Sequence, residues 1–170
     1  MSNAQKILLG YGVFSIGDIQ IGLTRGGGQF TVEKEIRAIE ADGDKGYVKG
    51  RINQDKSTPK LVVNALEVIT ENLPKMYAGI KVTKDNETNK TIITGKGVIE
   101  DSDYNDFVKW TGKTKGGRPV IIKVLNAINL ENFDWTLADK DEVVAALTYT
   151  GCYEEDSPED FEPWEIEYLD

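Results

Sequence analysis

Short runs of alternating or β-branched residues, cut apart by glycine and aspartate turns, govern what this chain can fold into. A period of two puts successive side chains on opposite faces of an extended strand, so each run can bury one face and wet the other. The run over 29–36 is the clearest. Phe30, Val32 and Ile36 share one side with Lys34, and Gln29, Thr31, Glu33 and Glu35 share the other. Further runs read as strands over 13–16, 19–24, 47–54, 60–68, 91–99, 105–112, 118–128, 132–138 and 142–153. Gly17-Asp18, Gly116-Gly117 and Asp139-Lys140-Asp141 have turn chemistry between neighbouring runs, and Gly26-Gly27-Gly28 is expected to break the chain. Residues 85–90 read as a polar loop. Pro59 is expected at the start of its strand, where no ladder hydrogen bond is lost.

One short helix stands apart. Thr70 or Asn72 is expected to cap it, and Leu73, Met76 and Tyr77 make an i, i+3, i+4 face. Gly79 stops it, and Pro74 is tolerable because it falls in the first turn. Ten strands and one helix predict a mainly β chain, a β-sandwich or barrel-like fold with one short flanking α-helix. A length of 170 residues suits one core. The organisation reads as a β-sandwich domain over 1–152 and an acidic C-terminal arm over 153–170.

Two absences narrow the chemistry. There is no histidine, so no Ser-His-Asp triad, Cys-His pair or His-ligated metal can form within one chain. There is one cysteine, Cys152, in an apolar alternating stretch, where it reads as a small buried hydrophobe. Gly112-Lys113-Thr114 resembles the end of a phosphate loop, but Phe107 stands where the first glycine is required and no helix follows. Asp101-Ser102-Asp103-Tyr104-Asn105 begins like a calcium loop, but Asp106 and Gly112 occupy the positions that need Gly and Glu. Trp110 and Trp135 read as core. No catalytic, cofactor or metal site is expected, and the chain is not expected to be an enzyme.

The net charge of −9 is unevenly placed. Residues 153–170 hold nine acids and no base; without them, twenty acids face twenty bases. The body is neutral and carries no basic footprint for wrapping nucleic acid. Phe161, Trp164, Ile166 and Leu169 are spaced among the acids, which a purely solvated tail would not need, so they are expected to anchor the arm. No apolar run approaches the ~20 residues of a bilayer span, and no signal-peptide pattern is visible. The chain is expected to fold in a cytoplasm, with no membrane partner.

The order of motifs resembles a known family. Gly17-Asp18-Ile19-Gln20-Ile21-Gly22-Leu23-Thr24-Arg25-Gly26-Gly27 precedes Phe30-Thr31-Val32-Glu33, then Arg37-Ala38-Ile39-Glu40-Ala41-Asp42-Gly43 and Lys49-Gly50-Arg51. Thr70-Glu71-Asn72-Leu73 opens the helix. Later come Gly116-Gly117, Asn126-Ala127-Ile128, Asp139-Lys140-Asp141-Glu142 and Pro163-Trp164-Glu165-Ile166. Together these resemble the major tail tube proteins of siphophages and related prophages, over residues 11–169. Pro74 and the dense acidity of the arm depart from the pattern.

The resemblance implies a β-sandwich whose subunits form hexameric rings, stacked into a hollow tube that conducts DNA. It implies self-association, with tape measure and tail-end proteins as further partners, and a place in the virion tail after assembly in the host cytoplasm. It assigns residues 37–51 to the hairpin connection that reaches the neighbouring ring, including Arg37, Glu40, Asp42, Asp44, Lys45, Lys49 and Arg51. If a lumen exists, Gln29, Thr31, Glu33 and Glu35 are its best candidates, as a polar face with two acids and no base; the same face could instead meet outside solvent. The tube of a contractile tail, a phage-derived bacteriocin or an injection system would read alike. A monomeric β-sandwich binding module is the other class.

Overall fold

A computed structural model describes residues 3–169. Its strands are β1 (Leu8–Ile16), β2 (Ile19–Gln20), β3 (Thr24–Ala38), β4 (Ile52–Ala65), β5 (Ile80–Asp85), β6 (Lys90–Gly95), β7 (Asn105–Thr114), β8 (Pro119–Ala127), β9 (Ala145–Thr150) and β10 (Trp164–Tyr168). One α-helix, α1 (Leu73–Met76), follows a 3-10 turn over Thr70–Asn72. All pairing is antiparallel. One sheet runs β10-β8-β7-β1-β2, a second β3-β4-β9, and β5-β6 is a separate hairpin. The chain is mainly β and sandwich-like.

Alternation builds the core. Leu61, Val63, Ala65, Ala145, Leu147 and Tyr149 from the second sheet join Phe14, Ile16, Val108, Trp110 and Val124 from the first in one buried cluster. Leu73, Met76 and Tyr77 close its end. The sheets are also joined by backbone: Ile128 and Thr150 exchange N–H···O bonds of 3.0 and 2.9 Å where β8 and β9 end. On the first sheet, Gly12 and Gly112 sit directly opposite each other. The Trp110 indole lies across both, filling the space that their missing side chains leave.

Several expected elements differ. The runs at 47–54 and 60–68 are not two strands: 47–51 is loop, and β4 is continuous from Ile52, with Pro59 inside it. Proline is accepted there because β9 ends beside it. The Pro59 carbonyl accepts from Gly151 N at 2.9 Å, so the donor it lacks faces a lane with no strand. Gly26-Gly27-Gly28 does not break the chain. Positive φ at Gly26 and Gly27 makes an irregularity within β3. The strand at 19–24 shrinks to β2, and 142–153 shrinks to β9. Residues 96–99 lie outside β6, and β5 is a strand in addition to those expected.

Residues 132–138 form no strand. They find no ladder, and their aromatics stack instead: Phe133 lies 4.8 Å from the Tyr77 ring and 4.9 Å from the Trp135 ring. Neither Thr70 nor Asn72 makes a side-chain cap; the Thr70 hydroxyl donates to Glu71 instead.

Leu147 is 0% exposed in this core, while Ile92 on β6 is 50% exposed. Leu147→Ala is expected to lower unfolding free energy by about 2–5 kcal/mol. Ile92→Ala is expected to stay within about 0.5 kcal/mol. Urea unfolding followed by circular dichroism checks both.

Candidate assembly surface

The β3–β4 pair outgrows the sandwich. Its inner half packs on the core, with Phe30 against the cluster and Leu61 and Val63 buried. Pairing then continues through Glu33↔Thr58 and Glu35↔Lys56 to Ala38↔Ile52, past Ser57, the last buried residue of β4 in that direction. Asp55 is an extra residue there, between Glu35↔Lys56 and Ile36↔Gln54. Such a bulge bends the ribbon and increases its twist. Ile36 shares its strand face with Phe30 and Val32, yet it is exposed because no second layer reaches it.

The loop over 39–51 closes through Ile39 N to Arg51 O at 2.8 Å. Two ion pairs brace the outer end of the ribbon. Arg37 forks Asp55 at 2.8 and 3.3 Å, and Arg51 reaches both Asp44 oxygens at 2.7 and 2.8 Å. The Arg37 hydrogen bonds, with help from Asn53, hold the Asp55 carboxyl below its ordinary pKa. Glu40, Asp42, Lys45 and Lys49 make no ion pair among the described residues. Ile39, Tyr47, Val48 and Ile52 are exposed around them, Tyr47 at 80%.

Gln29, Thr31, Glu33 and Glu35 do lie on one face, paired with Val62, Lys60, Thr58 and Lys56. That face is not negative, as β3 alone suggested. Lys60 reaches Glu33 at 2.9 Å and Lys56 reaches Glu35 at 3.0 Å, so β4 balances both acids. The pairing follows from register across two strands, which one strand's pattern cannot reveal.

The C-terminal arm ends in the sheet. β10 pairs with β8 from Trp164↔Val124 to Tyr168↔Val120. Trp164 tilts against Phe30 at 5.7 Å, and Phe161 meets Tyr153 edge-on at 6.1 Å. Both are half-buried, whereas Ile166 and Leu169 remain exposed. Lys123 sits between Glu165, at 2.9 Å, and Glu167. Glu167 and then Glu165 raise the Lys123 pKa, and Lys123 holds Glu167 below the ordinary carboxylate range. Lys109 pairs directly with Lys123 across β7–β8 and adds a like charge that the two acids offset.

A free strand edge completes the surface. Thr150 turns its backbone groups to Ile128, away from β4, so those of Thr148 and Ala146 also face the open side of β9. Among the described residues no strand occupies that side below Ile128, and residues of 131–136 flank it across a cavity. Leu137 nearby in sequence is 81% exposed.

Enzyme-like motifs have structural uses. Gly112-Lys113-Thr114 lies inside β7. Burial would raise the Asp103 pKa, but the Glu100 amide, the Lys96 ammonium and the Gly79 amide outweigh it and hold the carboxyl down. Burial pushes the Cys152 thiol up, away from reactivity. Among the described residues, no group of three or more His, Cys, Asp or Glu side chains could hold a metal ion, and no helix is long and apolar enough to cross a membrane. No protein-family model matches the chain, and no curated protein matches it.

The arm clamp has a pH window. Glu167, with its lowered pKa, contributes stability that is present above its unfolded pKa and lost as pH falls through the folded value. Lys123, with its raised pKa, contributes stability that is lost as pH rises through its own folded value. Hydrogen-exchange protection of residues 164–168 is therefore expected to fall in acid before that of β7. Lys123→Gln is expected to remove that difference.

Proposed function

We propose that this chain is a structural subunit that assembles with copies of itself, and that the assembly is the hollow tail tube of a long-tailed bacteriophage or prophage. In this reading hexameric rings stack, and DNA passes through them during ejection. The subunit binds rather than catalyses. It meets tape measure and tail-end proteins at the tube's ends, and passes from the host cytoplasm into the virion tail.

The observation that carries the reading is the projecting β3–β4 ribbon. An isolated two-stranded ribbon is marginal in water. This one extends past its own core and ends in exposed Ile36, Ile39, Tyr47, Val48 and Ile52. Such a ribbon gains burial when a second chain covers it. The free edges of β3 and β9 in one sheet add support, since open edges invite pairing between chains. A contact between different patches repeats from copy to copy, and it makes rings when the rotation closes. The order of sequence motifs supplies the narrower assignment to a tail tube. A sugar-binding module is less well supported, because Trp110 is in the core, Trp135 stacks on Phe133 and Trp164 packs on Phe30. A contractile-tail, bacteriocin or injection-system tube needs the same subunit surfaces.

Concentrated protein is expected to form rings or tubes in negative-stain microscopy, with sedimentation that rises with concentration. Deleting 41–46 is expected to leave a folded β-protein that stays monomeric. A wild-type chain that remains monomeric at its highest soluble concentration rejects the reading.

A further inference from the structure

A polar cavity of about 500 Å3 lies under the acidic arm. It exists because β9 stops at Thr150. Beyond Gly151 the chain leaves the sheet, and β4 over 54–58 is left with no strand on that side. Tyr153, Glu159 and Glu162 roof the gap.

Its chemistry asks for hydrogen-bond donors. Asp55, Glu159 and Glu162 line it against one base, Lys56. Asp55 is already engaged by Arg37, and Lys56 by Glu35. Glu162 accepts from Gln54 Nε2 at 3.2 Å and from Trp164 Nε1 at 3.1 Å. Glu159 has no partner among the described residues. Ser57 is the second, independent sign. It is only 6% exposed and lines the cavity, yet its Oγ makes no hydrogen bond. The hydroxyl lies beside Glu162 and Tyr153, outside bonding geometry, and it is the first influence holding the Glu162 carboxyl below its ordinary pKa. A buried hydroxyl without a partner is costly. The acids do not converge as a metal site. An ammonium on a flexible apolar stem suits the space better, with three donors to share.

The same chain carries such a group at its most exposed point. Lys45 and Lys49 flank Tyr47 at the ribbon tip and have no ion pair among the described residues. No residue of the 39–51 loop lines the cavity in its own molecule. The cavity floor is β4 near the ribbon's base, and the pairs from Glu35↔Lys56 to Ala38↔Ile52 hold the tip away from it. We propose that the cavity under the arm receives the 45–49 tip of a second copy of this chain, a lysine ammonium seating among Ser57 Oγ, Glu159 and Glu162. The proposal rests on the self-assembly reading and gives the acidic arm a role: it is the socket for a basic tip. The contact joins different patches, so it repeats from copy to copy.

Charge reversal on the full chain tests it, read by sedimentation velocity and microscopy. Lys45→Glu with Lys49→Glu is expected to raise the concentration needed for assembly by about tenfold or more. Glu159→Lys is expected to do the same. All three sites are exposed, so unchanged melting is expected and serves as the folding control. Combining the three reversals restores opposite charge between the tip and position 159 and is expected to recover part of the assembly. Wild-type assembly is expected to weaken as salt rises. If wild type assembles but tip reversal has no effect, or the combined variant is no better than the tip variant, the socket is wrong while self-assembly stands. If wild type never assembles, both fall.

Discussion

Burial between two sheets is the interaction on which the rest of this structure depends. It operates only where both layers are present. Along β4 the period of two is used from Ser57 to Ala65, and Leu61 and Val63 share one buried cluster with Val108 and Val124. Below Ser57 the same strand keeps its pairing with β3 but loses the opposing layer. Ile52 therefore stays in solvent. One strand thus serves as core at one end and as a projecting arm at the other. The change falls where β9 stops, beside the only proline within β4.

Electrostatics follows the same division. Within the sandwich, charge is held locally: Asp103 is buried with Lys96 and two backbone amides around it. On the arm, the excess of acids is partly used to fix β10 to β8 through Lys123, and Arg118 adds bonds to the carbonyls of Tyr168 and Leu169. The remaining acids of 154–162 are left facing outward or into the cavity. The charge imbalance visible in composition is therefore two things, a fastening and a surface.

Sequence reading found faces better than partners. The alternation of 29–36 and the helix face of Leu73, Met76 and Tyr77 were legible because one element contains the whole signal. β5 is hidden in the sequence because Lys81, Thr83, Lys84 and Asp85 outnumber its two apolar residues, Ile80 and Val82, and read as loop. The run at 132–138 alternates as well as many strands, but a strand also needs a neighbour, and none lies in register. The candidate surface was legible in part. The loop and the acidic arm stand out by composition. The balance of Glu33 and Glu35 by Lys60 and Lys56, and the burial of Ser57, depend on long-range register and on the extra residue at Asp55. Nothing local encodes those.

Trp110 and its two glycines have a consequence for how this sequence can drift. The indole covers Gly12 and Gly112 on adjacent strands, so a side chain at either glycine collides with the ring. A smaller residue at 110 would leave a void beneath two strands at once. Each change is harmful alone, and the compensating change lies on the same small patch. The three positions therefore form one inherited unit, which related chains can alter together but not one residue at a time.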